Sequence, residues 1–343
     1  MLPSSHAYLL REFHLNFHLQ ILKKIRLLAF LSALAIAINP SLAQPKFPNK
    51  TITIVVPTPP GGGTDAFARY IAQGLTAKFG KTVIVENKAG GNGSIAAEYV
   101  ARAAPDGYTL LLGYTATHGI SPALLKQKYD PIHDFEPIGM IAISPTLMVA
   151  NNSLPIKNTK ELVAYIKANP NTVSYASAGN GSAPHFAGEL FKLSTGTDVL
   201  HIPYKGAAPA IMDTIAGTTQ FMFPSLFTAY PQVSAGKLKA LGIAGERRSK
   251  AMPDIPTLSE QGIVDVNVQQ WYALFAPAKT PITVIQTLNQ EMNLILKDPV
   301  VEKKIEDQGA EVETSTPDQL KQFVAKESMH WKSVIAKTKI KAD

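Results

Sequence analysis

Four times along this chain a short β-branched or apolar run ends on a cluster of small residues that opens a helical pattern. The run at 51–57 (TITIVVP) leads through Pro59-Pro60-Gly61-Gly62-Gly63 into a helix over 64–79, where Phe67, Ile71, Leu75 and Phe79 recur every fourth residue. The run at 82–86 leads through Gly90-Gly91-Asn92-Gly93 into a helix over 94–104, and a third strand follows at 108–114. The runs at 173–178 and 199–204 repeat the junction through Gly179-Asn180-Gly181 and Lys205-Gly206, before helices over 183–195 and 208–216. A strand that hands over to a helix before the next strand returns parallel to it. The rhythm therefore predicts α/β architecture, a mostly parallel sheet covered by helices.

The rhythm falls into two blocks. Residues 135–150 are extended and apolar, broken by Pro137 and Pro145, and a helix opens at Asn158 or Thr159 and runs to 167. Further strands are expected at 220–223, 238–244 and 271–276, with an irregular stretch at 249–268. Helices at 281–297, 299–308 and 317–337 each open on Pro or Asp-Pro. No Gly/Ser tether separates the blocks, so extended crossings join them. That predicts two lobes, a hinge and a cleft.

The 343 residues suffice for two such units. Lys23, Lys24 and Arg26 precede an apolar stretch at 27–38 and the small-residue site Ser41-Leu42-Ala43. This reads as a secretory signal peptide over 1–43; the alternative, a retained anchor, asks a short stretch to span a bilayer. The formal net charge is +7, and four bases against one acid lie in that leader, so only +4 remains over the mature chain. Such a bias does not imply nucleic acid. The absence of cysteine excludes a disulfide scaffold, thiolate metal sites, a Cys nucleophile and a lipid anchor on an N-terminal Cys.

Six loops at strand ends are candidates for chemistry. In Gly61-Gly62-Gly63-Thr64-Asp65, three glycines let the backbone approach a ligand, and the helix start supplies partial positive charge to an anion; the alternative is a tight turn. Gly90-Gly91-Asn92-Gly93-Ser94 fits a relaxed dinucleotide fingerprint, but no acid ends the next strand, and a structural turn explains it equally well. Thr115 and Thr117 offer hydroxyls at the end of the third strand, and His118 is either a ligand contact or a helix-start residue. Ala178-Gly179-Asn180-Gly181-Ser182, with His185, forms a second anion-sized nest in the second block. Lys205 and Ser225 follow the next two strands.

Other chemistry is poorly supported. Gly80-Lys81-Thr82 mimics a phosphate-loop ending, but the required first glycine falls on Leu75. There is no GxSxG elbow and no HExxH, and no histidine pairs with a carboxylate at zinc-ligand spacing, so neither a metal nor a cofactor is expected. The four mature arginines, Arg69, Arg102, Arg247 and Arg248, all lie outside these loops. An anion here must be held by backbone N–H groups, hydroxyls and helix ends rather than by a guanidinium fork.

Taken together, the segments PTPPGGGTD, VENKAGGNGSIAAEYVARAAPDGYTLLLG, YDPIHDFEPIGMI, SYASAGNGSAPHFAGELF, HIPYKGAAPA, GKLKALGIAGERRS, PDIPTLSEQG and LFAPAKTP resemble the Bug-type extracytoplasmic solute receptors of tripartite tricarboxylate transporters. The resemblance implies a two-lobed periplasmic binding protein of type II-like fold, each lobe a mixed sheet flanked by helices, with two hinge crossings. Lobe 1 would comprise 45–147 plus 269–343 and lobe 2 148–268. It implies a monomeric, non-enzymatic receptor that captures a small organic carboxylate in the periplasm and delivers it to membrane permease subunits. A sensor feeding a signalling partner and a secreted α/β hydrolase are the alternatives. Ligand contacts carried over are Gly62, Gly63, Thr64, Asp65, Thr115, Thr117, Ala178, Gly179, Asn180, Ser182 and His185, to which Ser225 adds one hydrogen bond. Two positions depart from the family pattern: Thr58 stands where an aromatic residue is frequent, and Pro224 where an Asp commonly meets the ligand's distal end. Without that Asp a distal amine loses its partner, which favours a simple carboxylate over an amino acid.

Overall fold

In a computed structural model, residues 22–26, 47–338 and 340–341 are described. The apolar stretch at 27–38 and the expected cleavage site after Ala43 lie outside them; residues 22–26 form a short helical segment. Pro48–Asp343 is a unit of its own.

The first half of that unit begins with β1 (Ile52–Val56), α1 (Gly63–Phe79), β2 (Val83–Asn87), α2 (Ser94–Ala101) and β3 (Thr109–Tyr114). Both β2 and β3 pair parallel with β1, as the strand–helix rhythm requires. A π-type turn at Ala116–Ile120 and the short α3 (Ser121–Leu124) follow, in line with the helix-start reading of His118. Then β4 (Phe135–Asn151) runs for 17 residues and serves both halves.

The second half repeats the pattern with α4 (Thr159–Ala168), β5 (Ser174–Ser177), α5 (Ala183–Thr195), β6 (Leu200–Pro203), α6 (Ala207–Ala216) and β7 (Phe221–Met222). Next comes α7 (Leu226–Ser234), unexpected from the sequence because Pro231 lies inside it. After β8 (Leu238–Ala244) and the irregular stretch, β9 (Gln269–Pro277) returns the chain to the first half. The tail holds α8 (Ile282–Leu296), α9 (Pro299–Glu306), β10 (Glu311–Val312) and α10 (Pro317–Thr338).

The strand order is β2-β1-β3-β9-β4-β7-β5-β6, with β8 and β10 also on β4. The mostly parallel expectation holds only within each βαβ block. Antiparallel β9 inserts between β3 and β4, and β7 and β8 run antiparallel to β4, so the sheets are mixed. Along β4, residues 135–145 face β9 while residues 146–151 face β8, and the changeover falls at Pro145-Thr146. Proline contributes no N–H to a ladder, which suits a point where one strand leaves its neighbour for another.

Apolar cores hold these layers, three of them as follows. One joins Val55, Leu111, Trp271 and Phe275 to Leu320 and Val324 of α10. A second gathers Met148, Phe186, Phe191 and Phe221, and also takes in Ile120 and Trp331. A third packs Met222, Leu226, Ala229 and Ile243. The later turns of α10 thus pack with residues of the second half.

Candidate functional site

The loops at the carboxyl ends of β1, β3, β5, β6 and β7 surround a narrow cleft. Crevices outside the carboxyl ends of strands are where α/β sheets bind ligands. Four helices, α1, α5, α6 and α7, begin at its wall. Their caps divide them into two kinds. The N-cap hydroxyls of Ser182 and Ser225 accept hydrogen bonds from the N–H groups of His185 and Thr228, so α5 and α7 cap themselves. The caps of α1 and α6 are Gly62 and Gly206, which have no side chain to offer. The N-terminal N–H groups of α1 and α6 therefore lack a side-chain acceptor, the condition under which a helix end attracts an anion. The start of α6 lies against the loop that leads into α1. A Cβ at Gly206 would lie 2.8 Å from Pro59 Cδ, and one at Gly61 would lie 3.9 Å from Ala208 Cβ.

Packing behind the wall fixes the end of α1. The Phe67 ring lies 4.5 Å from the Phe227 ring and 4.5 Å from the Tyr272 ring. Gly63 lets hydroxyls close in from above: a Cβ there would meet Tyr272 Oη at 3.1 Å and Thr228 Oγ1 at 3.3 Å. Thr58 donates to Thr64 Oγ1 at 3.1 Å, and Gln270 Nε2 donates to Thr146 Oγ1 at 3.2 Å. The lining contains no Asp, Glu, Lys, Arg or His. Its titratable groups are Tyr114 and Tyr272. Burial pushes the Tyr272 phenol up to about 12, with a hydrogen bond to Ser225 working the other way, and burial raises Tyr114 further. Both keep their protons and can donate. The cleft thus offers hydroxyls, an amide and two helix ends to an anion, and no carboxylate to an ammonium group.

Of the residues expected at the site, Gly62, Gly63, Thr64, Ala178, Ser182 and Ser225 line the cleft. The other six stand behind it. Asp65 turns away from the cleft and ties the first loop together: it accepts from Gly61 N at 3.2 Å, from Asn87 Nδ2 at 3.0 Å, and from Arg69 through both carboxylate oxygens at 3.0 Å. Burial alone would raise its carboxyl, but these bonds and the Arg69 charge outweigh burial and hold it below the usual range. Thr115 Oγ1 accepts from Trp271 N at 2.9 Å, and Thr117 Oγ1 donates to Tyr114 O at 3.1 Å. Both hydroxyls are buried and serve the backbone of the β3–β9 junction rather than a ligand.

The second nest is likewise turned inward. Gly179 N donates to Ser177 Oγ, Ser182 N to Gly179 O, and Gly181 N to His185 Nδ1. Asn180 lines an outer crevice, and the His185 ring stacks on His201 with centroids 4.4 Å apart. His118 is fully buried and stacked 4.0 Å above Phe275, and burial pushes its imidazole down to about 3. Sequence reasoning did not find Gln270, Tyr272, Thr228 or the start of α6. Gln270 and Tyr272 lie in a run (QQWYALFAP) that reads as a hinge strand, and Thr228 lies in a helix disguised by Pro231. Gly206 had a signal, a glycine between a strand and a helix, but Lys205 beside it drew the attention. Among the described residues no cluster of acids and histidines could hold a metal ion, and no helix is long and apolar enough to cross a membrane.

The sequence profile of the tripartite tricarboxylate transporter family receptor matches residues 67–340. Among solved structures, the periplasmic binding protein BugD superposes with a TM-score of 0.83 at 34% identity, covering 87% of this chain and 100% of its own. An R. palustris protein solved with adipate gives 0.83 at 31% identity, covering 86% and 99%. MatC from Rhodopseudomonas palustris, solved with bound malate, gives 0.81 at 34% identity, covering 84% and 100%.

Proposed function

Since this chain belongs to the tripartite tricarboxylate transporter receptor family, whose solved relatives are periplasmic binding proteins, we propose that it captures a small dicarboxylate between two lobes and hands it to the membrane permease subunits of such a transporter. The observation that carries the reading is the pair of glycine-capped helix ends, α1 and α6, that both open onto a lining without charged side chains. Each hydrogen bond to a carboxylate contributes about 1.5–3 kcal/mol. Four or five of them, less ordering and desolvation, leave micromolar affinity, about −8 kcal/mol. Adipate and malate, seen in two relatives, are both dicarboxylates.

In this reading the ligand touches Gly62, Gly63, Thr64, Tyr114, Ala178, Ser182, Ser225, Thr228, Tyr272 and the start of α6. Asp65, Thr115, Thr117, Gly179, Asn180 and His185 shape the walls that do so. Lobe 1 is 45–147 plus 269–343 and lobe 2 is 148–268, hinged where β4 changes partners at Pro145-Thr146 and where β9 begins at Gln269, with the end of α10 resting on lobe 2. Residues 1–43 direct export to the periplasm and are removed. The protein works as a monomer and performs no catalysis.

A thermal-shift screen of the mature chain against mono-, di- and tricarboxylates, aromatic acids and acidic amino acids tests this. A dicarboxylate at 100 times its dissociation constant adds about 2.7 kcal/mol, a shift of several degrees. A protein that ignores every dicarboxylate, or that prefers an amino acid, refutes the ligand assignment.

A further inference from the structure

The glycine loop at 90–94 does not line the cleft, yet four successive residues in it have positive φ. Gly90, Gly91, Asn92 and Gly93 take φ values of 130°, 55°, 50° and 94° in succession. The one residue there with a side chain is Asn, which tolerates the left-handed region. A loop that merely started α2 would use that side chain as the cap. Instead the N-cap is Gly93 and no side-chain cap bond is made.

The Asn92 amide points elsewhere. Its Nδ2 donates to Ser121 Oγ at 2.7 Å. Because Ser121 accepts that bond, its own proton is free, and Ser121 Oγ donates to Gly181 O at 3.4 Å. On its other side Asn92 receives the Tyr114 hydroxyl, 3.4 Å from its carbonyl and 3.5 Å from Oδ1. Tyr114 is cleft wall, and Gly181 immediately precedes Ser182, which is cleft wall on the opposite half. The chain of hydrogen bonds Tyr114–Asn92–Ser121–Gly181 therefore runs around the ligand cleft from one half of the molecule to the other. Its middle link is short, and its end links, at 3.4 Å, lie beyond the about 2.5–3.0 Å of a tight O–H···O bond, so there is slack at both ends to be drawn in.

We propose that Asn92 and Ser121 are positioning residues for ligand capture: they latch the two halves together by tying the cleft wall at Tyr114 to the Gly181 loop, without touching the ligand themselves. The proposal rests on the receptor reading. A ligand that seats against Tyr114 tightens the first link, each polarised link strengthens the next, and the Gly181 carbonyl holds the second half in place. The latch governs how long a ligand stays, while the helix ends govern which ligand is chosen.

Three variants separate this from a local turn. Asn92→Gly keeps the left-handed backbone and removes the amide. Asn92→Asp keeps size and backbone but accepts the Ser121 proton, leaving the Gly181 carbonyl without its donor. Ser121→Ala removes the relay. With adipate and malate as probes, and Trp271 and Trp331 as fluorescence reporters in stopped flow, each variant is expected to release ligand about tenfold faster. The association rate should stay within about twofold, because the latch forms after encounter. The preference between adipate and malate should not change. With no native cysteine, spin labels at Lys126→Cys and Lys205→Cys report the separation of the halves directly. In ligand-free protein the three variants should shift that distance towards the open form, with melting temperature preserved. Unchanged release rates and unchanged label distances would overturn the latch. A changed ligand preference would do so too, by showing direct contact. If neither probe binds, the carboxylate reading alone fails, and the ligand-free label distances still decide the latch.

Discussion

Single residues in this protein are placed by what surrounds them more than by what they are. His118 follows a strand end, where a ligand contact was as reasonable as a helix start. The fold encloses its ring between Phe135, Trp271 and Phe275. A buried imidazole in that setting is driven to its neutral form, down to about 3. An unfolded chain takes up the proton near 6.5. The stability His118 contributes is therefore complete above pH 6.5 and lost as pH falls from there towards 3, at about 1.4 kcal/mol per pH unit. Urea denaturation of the wild type and of His118→Phe, which keeps the aromatic stack, should give curves that converge above pH 7 and separate below 6, the wild type falling faster. Asp65 is the opposite case. Its role in shaping the first loop follows from its place in the sequence, because a first-turn acid four residues before Arg69 pairs with it on a helix and lies close enough to reach the Gly61 amide. Nothing in the sequence announced Tyr272, whose position beside Gly63 exists only once β9 has inserted between β3 and β4.

At the scale of elements the informative feature is how each helix is capped. A serine cap satisfies its own helix, and a glycine cap leaves the end open to a guest. Gly62 has an ordinary extended backbone, φ −93°, and no atom lies within 4 Å of where its Cβ would stand. That open space is the cleft. Gly62→Leu should therefore fold normally, with melting temperature within a few degrees of wild type, and abolish the thermal shift given by the best dicarboxylate of the panel. Retained binding would show that the end of α1 is not where the ligand sits. Both glycine-capped ends at the cleft are visible in the sequence as strand–glycine–helix junctions. Which of the four junctions stay open is not, because Gly-Asn-Gly-Ser and Gly-Gly-Gly-Thr look alike until one of them folds its amides onto Ser177 and His185.

Over the whole molecule, β4 and α10 are the members that belong to both halves. The first turns of α10 pack with Leu111 and Phe275, and Trp331 packs with Phe186, ring centroids 5.4 Å apart. Glu327 accepts from the indoles of both Trp271 and Trp331, at 2.8 and 3.1 Å, and so fastens the helix to the hinge strand. Trp331→Ala should cost about 3–5 kcal/mol in urea unfolding, as for other buried aromatic truncations. A cost below 1 kcal/mol would mean the helix end is not held by that core. The strand–helix alternation, the two blocks and the absence of a tether already determined an α/β receptor-like architecture, since hydrophobic period and turn chemistry are local properties that each segment carries with it. The antiparallel strand between the blocks, the helix across both, the choice of which helix ends remain uncapped and the path from Asn92 to Gly181 were decided by the tertiary structure. They depend on contacts between residues far apart in the chain, and a one-dimensional pattern holds no record of which distant side chain will use up a hydroxyl or leave an amide free.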